Sequence, residues 1–305
     1  MKSIQSVAII GAGALGILFG EALKTYLKEN LFYLADGSRY EKLLGGHFLI
    51  NDVPENFVVK NSQDLTEFPD LVIVAVKNHH LEQILGLLKR CIRKDTIVLS
   101  VLNGIESEQF LEANFPHAHI LYSIAIGMDA VRVSNQLTYS SRGKLMLGSK
   151  DNDKKNEQLN AVESLLDSCH IHYEIPEDIH RSIWWKWMIN IGVNQVSAVS
   201  GANYKGFQTN RNVQLLMEAA MEETITVAHA CGVDLRREDI QNWYPILNGL
   251  GPEGKSSMLQ DMEACRKTEA PWFSGKLISL AEKHGINVPV NETLYRIILS
   301  KESFF

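Results

Sequence analysis

The stretch Trp184-Trp185-Lys186-Trp187-Met188-Ile189-Asn190-Ile191-Gly192-Val193-Asn194 sets one ammonium and two amides, four residues apart each time, in an otherwise apolar run. On an α-helix, positions i, i+4 and i+8 form one ridge. Lys186, Asn190 and Asn194 are therefore expected to face one way and to span about 12 Å at 1.5 Å per residue. A helix that is apolar on nearly every other side is buried. Desolvation lowers the pKa of a lysine held there, which makes it a proton donor usable near neutral pH. Ser256 and Ser257 open a second candidate stretch, with Glu269 beyond its end. A carboxylate from that stretch could hold Lys186 in place or bond a substrate hydroxyl. The competing reading is that Lys186 snorkels to solvent while the asparagines cap backbone groups, and spacing alone does not separate the two.

A second set of residues points to a nucleotide. Gly11-Ala12-Gly13-Ala14-Leu15-Gly16 follows a strand and opens a helix. In that context Gly11 permits the tight turn, Gly13 admits a pyrophosphate close to the backbone, and Gly16 lets helix and strand pack closely. The phosphates then meet free N–H groups and the positive end of the helix. Asp36 lies twenty residues after Gly16, where an acid takes the ribose hydroxyl of NAD and repels the 2'-phosphate of NADP. Arg39 argues the other way, since it could hold that phosphate. The balance leans to NAD without excluding NADP. Lys77 and Asn103 end two further strands on the same sheet edge. Lys77 could face the cofactor or a substrate carboxylate, and Asn103 the nicotinamide or the substrate, although each could simply cap the helix or loop after it.

These residues require particular elements to position them. The first half alternates strands (6–10, 31–35, 71–76, 96–102, 119–127) with helices (14–28, 79–91, 106–114), the pattern of a parallel sheet wound on both faces. Short strands are expected at "VRV", "QLTYS" and "KLMLGS", then a polar helix over 151–168 and a strand over 171–175. From about residue 179 the pattern is helical: one helix through the tryptophan stretch, then 212–231, 236–248, 256–266, 272–284 and 291–302. The expectation is an α/β Rossmann-type domain over 1–177, with a parallel-rich doubly wound sheet, and an all-α substrate and catalytic domain over 178–305.

Composition narrows the class. The chain has 305 residues, is 45% hydrophobic and 22% charged, and carries a net charge of −6, with no long basic run, so nucleic acid and anionic membrane are poor partners. The N-terminal apolar run resembles a signal peptide but is studded with the glycines of the nucleotide turn. Four scattered cysteines without a C-x-x-C pair read as reduced, which suggests a cytoplasmic protein. Cys169-His170-Ile171-His172 lacks a third ligand on one strand face, so no metal is expected. The absence of a G-x-S-x-G elbow argues against a hydrolase. The apolar C-terminal helices are candidates for a homodimer surface.

The chain resembles the ketopantoate reductases (2-dehydropantoate 2-reductases) nearly end to end, through "GAGALG", "VAVK" (74–77), "LNG" (102–104), "WWKWMINIGVN" and "SSMLQDMEACRKTE" (256–269). The resemblance implies NAD(P)H-dependent hydride transfer to the keto carbon of a small 2-oxo acid, ketopantoate to pantoate, as in pantothenate biosynthesis. It implies Lys186 as general acid, Glu269 assisting at the substrate hydroxyl, and Asn103, Asn190, Asn194 and Ser257 holding the substrate. Two departures stand out. Many relatives have arginine at the end of the second strand, where this chain has Asp36. Many continue Thr-Glu with Ile-Asp, where this chain has Ala270-Pro271-Trp272. Two alternatives remain: an NAD-dependent D-2-hydroxy acid dehydrogenase acting on another branched 2-oxo acid, and a non-catalytic NAD(P)-sensing regulator.

Overall fold

A computed structural model describes residues 3–305. It divides into a first unit ending at His180 and a second, Arg181–Phe305. No helix among the described residues is long and apolar enough to cross a membrane.

The first unit is a ten-stranded sheet with helices. In chain order its elements are β1 (Val7–Ile10), α1 (Ala14–Leu27), β2 (Leu31–Ala35), α2 (Gly37–Leu44), β3 (Phe48–Ile50), β4 (Val53–Glu55), β5 (Val58–Asn61), β6 (Leu71–Val74), α3 (Leu85–Cys91), β7 (Ile97–Ser100), α4 (Ser107–Asn114), β8 (His119–Val133), β9 (Gln136–Gly148), α5 (Glu157–Ser168) and β10 (Tyr173–Glu174). The order across the sheet is β4-β3-β9-β8-β7-β6-β1-β2-β5, with β10 beside β9. Strands β7, β6, β1, β2 and β5 run parallel. The central three read VAII, LVIV and IVLS and are buried along their whole length, because helices cover both faces of such a sheet. Chain order reverses at β1, whose neighbours are β2 and β6. The carboxyl ends there form the crevice where such sheets bind ligands.

Four expectations are corrected in this unit. The short strands after residue 127 are one ladder: β8 and β9 form a long antiparallel hairpin, bulged at Asp129/Ala130. Gly127 and Gly143 let it bend without breaking; a Cβ on Gly143 would lie 2.2 Å from the Ile126 carbonyl oxygen. Strands β3 to β5 and helix α2 add to the expected elements. The β3–β4 link turns on Asn51 and Asp52 at φ 45° and 67°, which a two-residue hairpin favours. The helix expected over 79–91 begins only at Leu85, because Leu81 and Leu85 bond three residues back, to Asn78 and Glu82, in tight turns. The helix expected from 151 starts at Glu157, where the Asn156 side chain caps the N–H groups of Gln158 and Leu159.

The second unit is helical: α6 (Ile179–Ile189, starting at the last residues of the first unit), a π turn (Asn190–Asn194), α7 (Gln195–Ser200), α8 (Tyr204–Thr209), α9 (Arg211–Ala230), α10 (Arg237–Gly249), α11 (Ser257–Glu263), α12 (Ser274–His284) and α13 (Pro289–Glu302). Its core includes Trp187, Met188, Met217, Met221, Phe207 and Phe273. Fully buried Asn291 fastens four helices: Oδ1 accepts from Ser274 Oγ at 3.0 Å and Gln195 Nε2 at 3.4 Å, while Nδ2 donates to the Ala220 carbonyl at 3.1 Å and Glu223 Oε2 at 2.8 Å. Fully satisfied, such a buried polar network rigidifies the helices it joins.

Candidate functional site

The three glycines after β1 are not equivalent. Gly11 sits at φ +106°, and a Cβ there would meet the Ala75 carbonyl oxygen at 2.5 Å; a Cβ on Gly16 would lie 1.9 Å from the Gly11 carbonyl oxygen. The chain's own packing demands both. Gly13 is exposed, and its Cβ would come no nearer than 3.7 Å to any neighbour. Its small size therefore serves an approach from outside, as a pyrophosphate on the backbone requires. Gly13 is also the N-cap of α1 and offers no side chain to the first helical N–H groups. Those donors and the positive helix end suit an anion. Ala12, Ala14 and Leu15, all half-buried, complete the turn. The residues present fit a dinucleotide.

Asp36, Lys77 and Asn103 follow the carboxyl ends of β2, β6 and β7. The Asp36 carboxylate is already engaged: Oδ1 accepts from Ser62 N at 3.2 Å and Ser62 Oγ at 2.5 Å, and Oδ2 pairs with Arg90 Nη1 at 2.7 Å. The carboxylate expected to take a ribose hydroxyl is thus already bonded within the fold, to Ser62 and to the half-exposed Arg90. Arg39 is exposed in the first turn of α2. Lys77 precedes the 3-10 turn 78–80. Nearby His80 is lowered from its ordinary pKa by burial first, then by His79, Arg39 and Lys77, so these basic groups gather at one edge. Asn103 is half-buried, and its carbonyl accepts from Asn78 Nδ2 at 2.8 Å.

In the second unit the expected ridge is modified. Lys186 and Asn190 lie one turn apart, but the chain then widens into the π turn before α7. The uninterrupted i, i+4, i+8 register thus ends at Asn190, because the hydrogen-bond ladder lengthens by a residue. Gly192 sits in that turn, and a Cβ on it would lie 2.7 Å from Met221 Cε. A lone glycine in an apolar helical run marks a close-packed position, but it does not by itself specify the widened turn. Asn190 and Asn194 are both buried, and Asn194 Nδ2 reaches Ser257 Oγ at 3.5 Å. Ser256 caps α11 through Leu259 N at 3.2 Å and bonds Ser197, which in turn donates to the Asn194 carbonyl at 2.9 Å. The structure therefore brings Asn194 and Ser257 together.

Burial alone pushes the Lys186 ammonium down to about 8. Trp187 beside it is fully buried, and Trp184 packs edge-on against Trp187 at 5.1 Å. The carboxylate expected to hold Lys186 in place does not do so: Lys186 forms no ion pair among the described residues. Glu269 is half-buried and precedes the 3-10 turn Ala270–Trp272, with its carbonyl accepting from Trp272 N at 2.9 Å. Trp187 Nε1 donates to the Trp272 carbonyl at 3.0 Å, which ties that turn to α6.

Sequence reasoning missed two groups in the first unit. Arg132, near the tip of the β8–β9 hairpin, donates through Nη1 to the Ala12 carbonyl of the glycine turn. Its place depends on the hairpin being one element, which the local pattern does not show. Glu108, in the first turn of α4, is buried and pushed up to about 7 by burial, against lowering hydrogen bonds from Ser107 and from the N–H groups of residues 108 and 123. Ser107 Oγ donates to Glu108 Oε2 and accepts from Ser100 Oγ, each at 2.8 Å. This pair closes both ends of the loop carrying Asn103.

Residues 7–152 match the family model described as ketopantoate reductase PanE/ApbA, and residues 178–302 match its C-terminal counterpart. A 2-dehydropantoate 2-reductase of Archaeoglobus fulgidus is 26% identical over 301 residues, covering 98% of this chain and 99% of that protein. One of Streptococcus pyogenes serotype M1 is 24% identical over 302 residues, with 97% and 98% covered. Among solved structures, a dimeric ketopantoate reductase from Staphylococcus aureus superposes with a TM-score of 0.83 at 20% identity, covering 98% and 99% of the two chains. A D-mandelate dehydrogenase with NADH and anilino(oxo)acetate gives 0.85 at 22% identity with the same coverage.

Proposed function

The chain belongs to the ketopantoate reductase family, and on that premise we propose that this oxidoreductase reduces a small 2-oxo acid, ketopantoate foremost, to its 2-hydroxy acid with NAD(P)H. The observation that carries the reading is Lys186, brought by burial to about 8 on a helix whose next turn carries buried Asn190. An amine with that pKa is protonated at neutral pH yet gives up its proton readily.

The first unit holds the dinucleotide at residues 11–16, with Asp36, Arg39, Lys77 and Asn103 along the same edge. Bound there, the nicotinamide supplies the hydride. Lys186 protonates the carbonyl oxygen as negative charge grows on it. Asn190, Asn194 and Ser257 donate to and orient the acid, together with Asn103. Glu269 accepts from the substrate hydroxyl. Asp36 favours NADH, and its pairing with Arg90 weakens the repulsion that NADPH would meet, so both cofactors belong in the assay. The functional assembly is a homodimer, supported by the dimeric state of the Staphylococcus aureus relative.

A second reading keeps the chemistry and changes the acid. Ala270-Pro271-Trp272 forms a turn tied to α6 through Trp187, and its bulk favours a substrate other than ketopantoate. The test is a panel of branched and aromatic 2-oxo acids, each assayed with NADH and with NADPH. Turnover of at least one acid is expected, with Lys186→Ala reducing it by roughly 10²–10⁴-fold while dinucleotide binding persists. Dinucleotide binding without turnover of any acid would replace the enzyme with a sensor.

A further inference from the structure

Arg132 is one residue from the end of β8, yet its guanidinium lies at the phosphate-binding turn. Nη1 donates to the Ala12 carbonyl, Nε donates to the Ser134 carbonyl at 2.7 Å, and the group stands 5.4 Å from the centre of the Phe48 ring. It is half-buried, and its donors meet carbonyls rather than a carboxylate among the described residues. A guanidinium has five N–H groups, so two bonds leave a fork for an oxyanion. Arg39 stands close enough to lower the pKa of Arg132, after burial, and Arg39 likewise forms no ion pair among the described residues. The carboxylate at the end of β2, Asp36, is committed to Arg90 and Ser62. Arg132 thus reaches the glycine turn, Arg39 is near enough for their charges to repel, and neither forms an ion pair among the described residues.

We propose that Arg132 and Arg39 clamp a phosphate group of the bound dinucleotide, with Arg132 reaching from the hairpin to the glycine turn. The inference rests on dinucleotide binding at residues 11–16 but not on the 2-oxo acid chemistry. A phosphate there comes from one of two sources, the pyrophosphate common to both cofactors or the 2'-phosphate of NADPH. Arginine suits either, since its planar fork matches a phosphate edge and its charge persists at every working pH.

The test is equilibrium binding without substrate, read by nicotinamide fluorescence for NADH and NADPH and by calorimetry for ADP and 2'-AMP. Arg132→Gln keeps a donor for the Ala12 carbonyl and removes the charge; Arg132→Lys keeps the charge and loses the fork. The expected result is about 10- to 100-fold weaker binding in Arg132→Gln, as losing a charge-assisted bond implies. Partial recovery is expected in Arg132→Lys, and a shallower salt dependence in Arg132→Gln, which a purely structural role would not give. Equal weakening of NADH, NADPH and ADP places the clamp on the pyrophosphate. Weakening confined to NADPH and 2'-AMP places it on the 2'-phosphate. Affinities within twofold of wild type for both dinucleotides would overturn the proposal. Should Arg132→Gln fail to fold, exposed Arg39→Gln carries the test, and unchanged affinity there overturns the clamp. Normal clamp behaviour with no 2-oxo acid turned over would refute the activity and leave the clamp standing.

Discussion

Replacing Lys186 with methionine should stabilise the protein while disabling it. Methionine keeps much of the side chain's apolar length and removes the ammonium. The fall of Lys186 from its ordinary 10.5 to about 8 corresponds, at 1.36 kcal/mol per factor of ten, to about 3 kcal/mol. The sign comes from linkage. Below pH 8 the amine is protonated in both folded and unfolded chains, and the folded state carries the whole cost. Between 8 and 10.5 the unfolded chain holds the proton more tightly, so folding grows more favourable as pH rises; above 10.5 the cost is gone. Lys186→Met should therefore exceed wild type by up to about 3 kcal/mol at pH 7, and the difference should shrink from pH 8 to 10.5. All five tryptophans (184, 185, 187, 243 and 272) lie in the second unit, so denaturant unfolding monitored by their fluorescence reads that unit directly. A variant whose stability tracks wild type at a constant offset across pH 7–10.5 would refute the reasoning, because Lys186 would then titrate alike folded and unfolded.

Two further predictions concern the first unit. Gly13→Ala should fold with little change in melting temperature, since its Cβ meets nothing nearer than 3.7 Å, while dinucleotide affinity falls at least tenfold; a melt lowered as far as in Gly11→Ala would show that packing, not ligand approach, requires the glycine. Glu108, raised by burial from 4.5 to about 7, contributes stability that is whole below pH 4.5 and is lost as pH rises to about 7, roughly 3 kcal/mol in all. Glu108→Gln should lack that slope, so wild type and variant unfolding curves measured at pH 4.5 and pH 8 should diverge, and parallel curves would place the Glu108 titration elsewhere.

The parts of the fold that depend on local pattern are legible in the sequence. The three central strands read as continuous apolar runs because both faces are buried, and the glycine turn stands out through its three-glycine spacing, of which only the demand on Gly16 arises within the strand–helix unit, while Gly11 answers to Ala75 beyond β6. The features that escape depend on contacts distant in sequence. Asp36 meets Ser62 and Arg90, 26 and 54 residues away, and Arg132 meets Ala12 across 120 residues. The single hairpin β8–β9 looks like four strands because its facing glycines at 127 and 143 resemble breaks. The helix through Lys186 is evident from its apolar run, while its π turn depends on how Gly192 packs on Met217 and Met221 of α9, which spacing within the run does not encode.

Lys186 as a proton donor tuned by burial is the central claim, and the pH dependence of kcat/KM for 2-oxo acid reduction measures that donor in the free enzyme. The profile should hold level near neutrality and fall tenfold per pH unit above about 8, where the buried ammonium loses its proton. A rate constant that stays level to pH 10 would mean that the proton comes from another group.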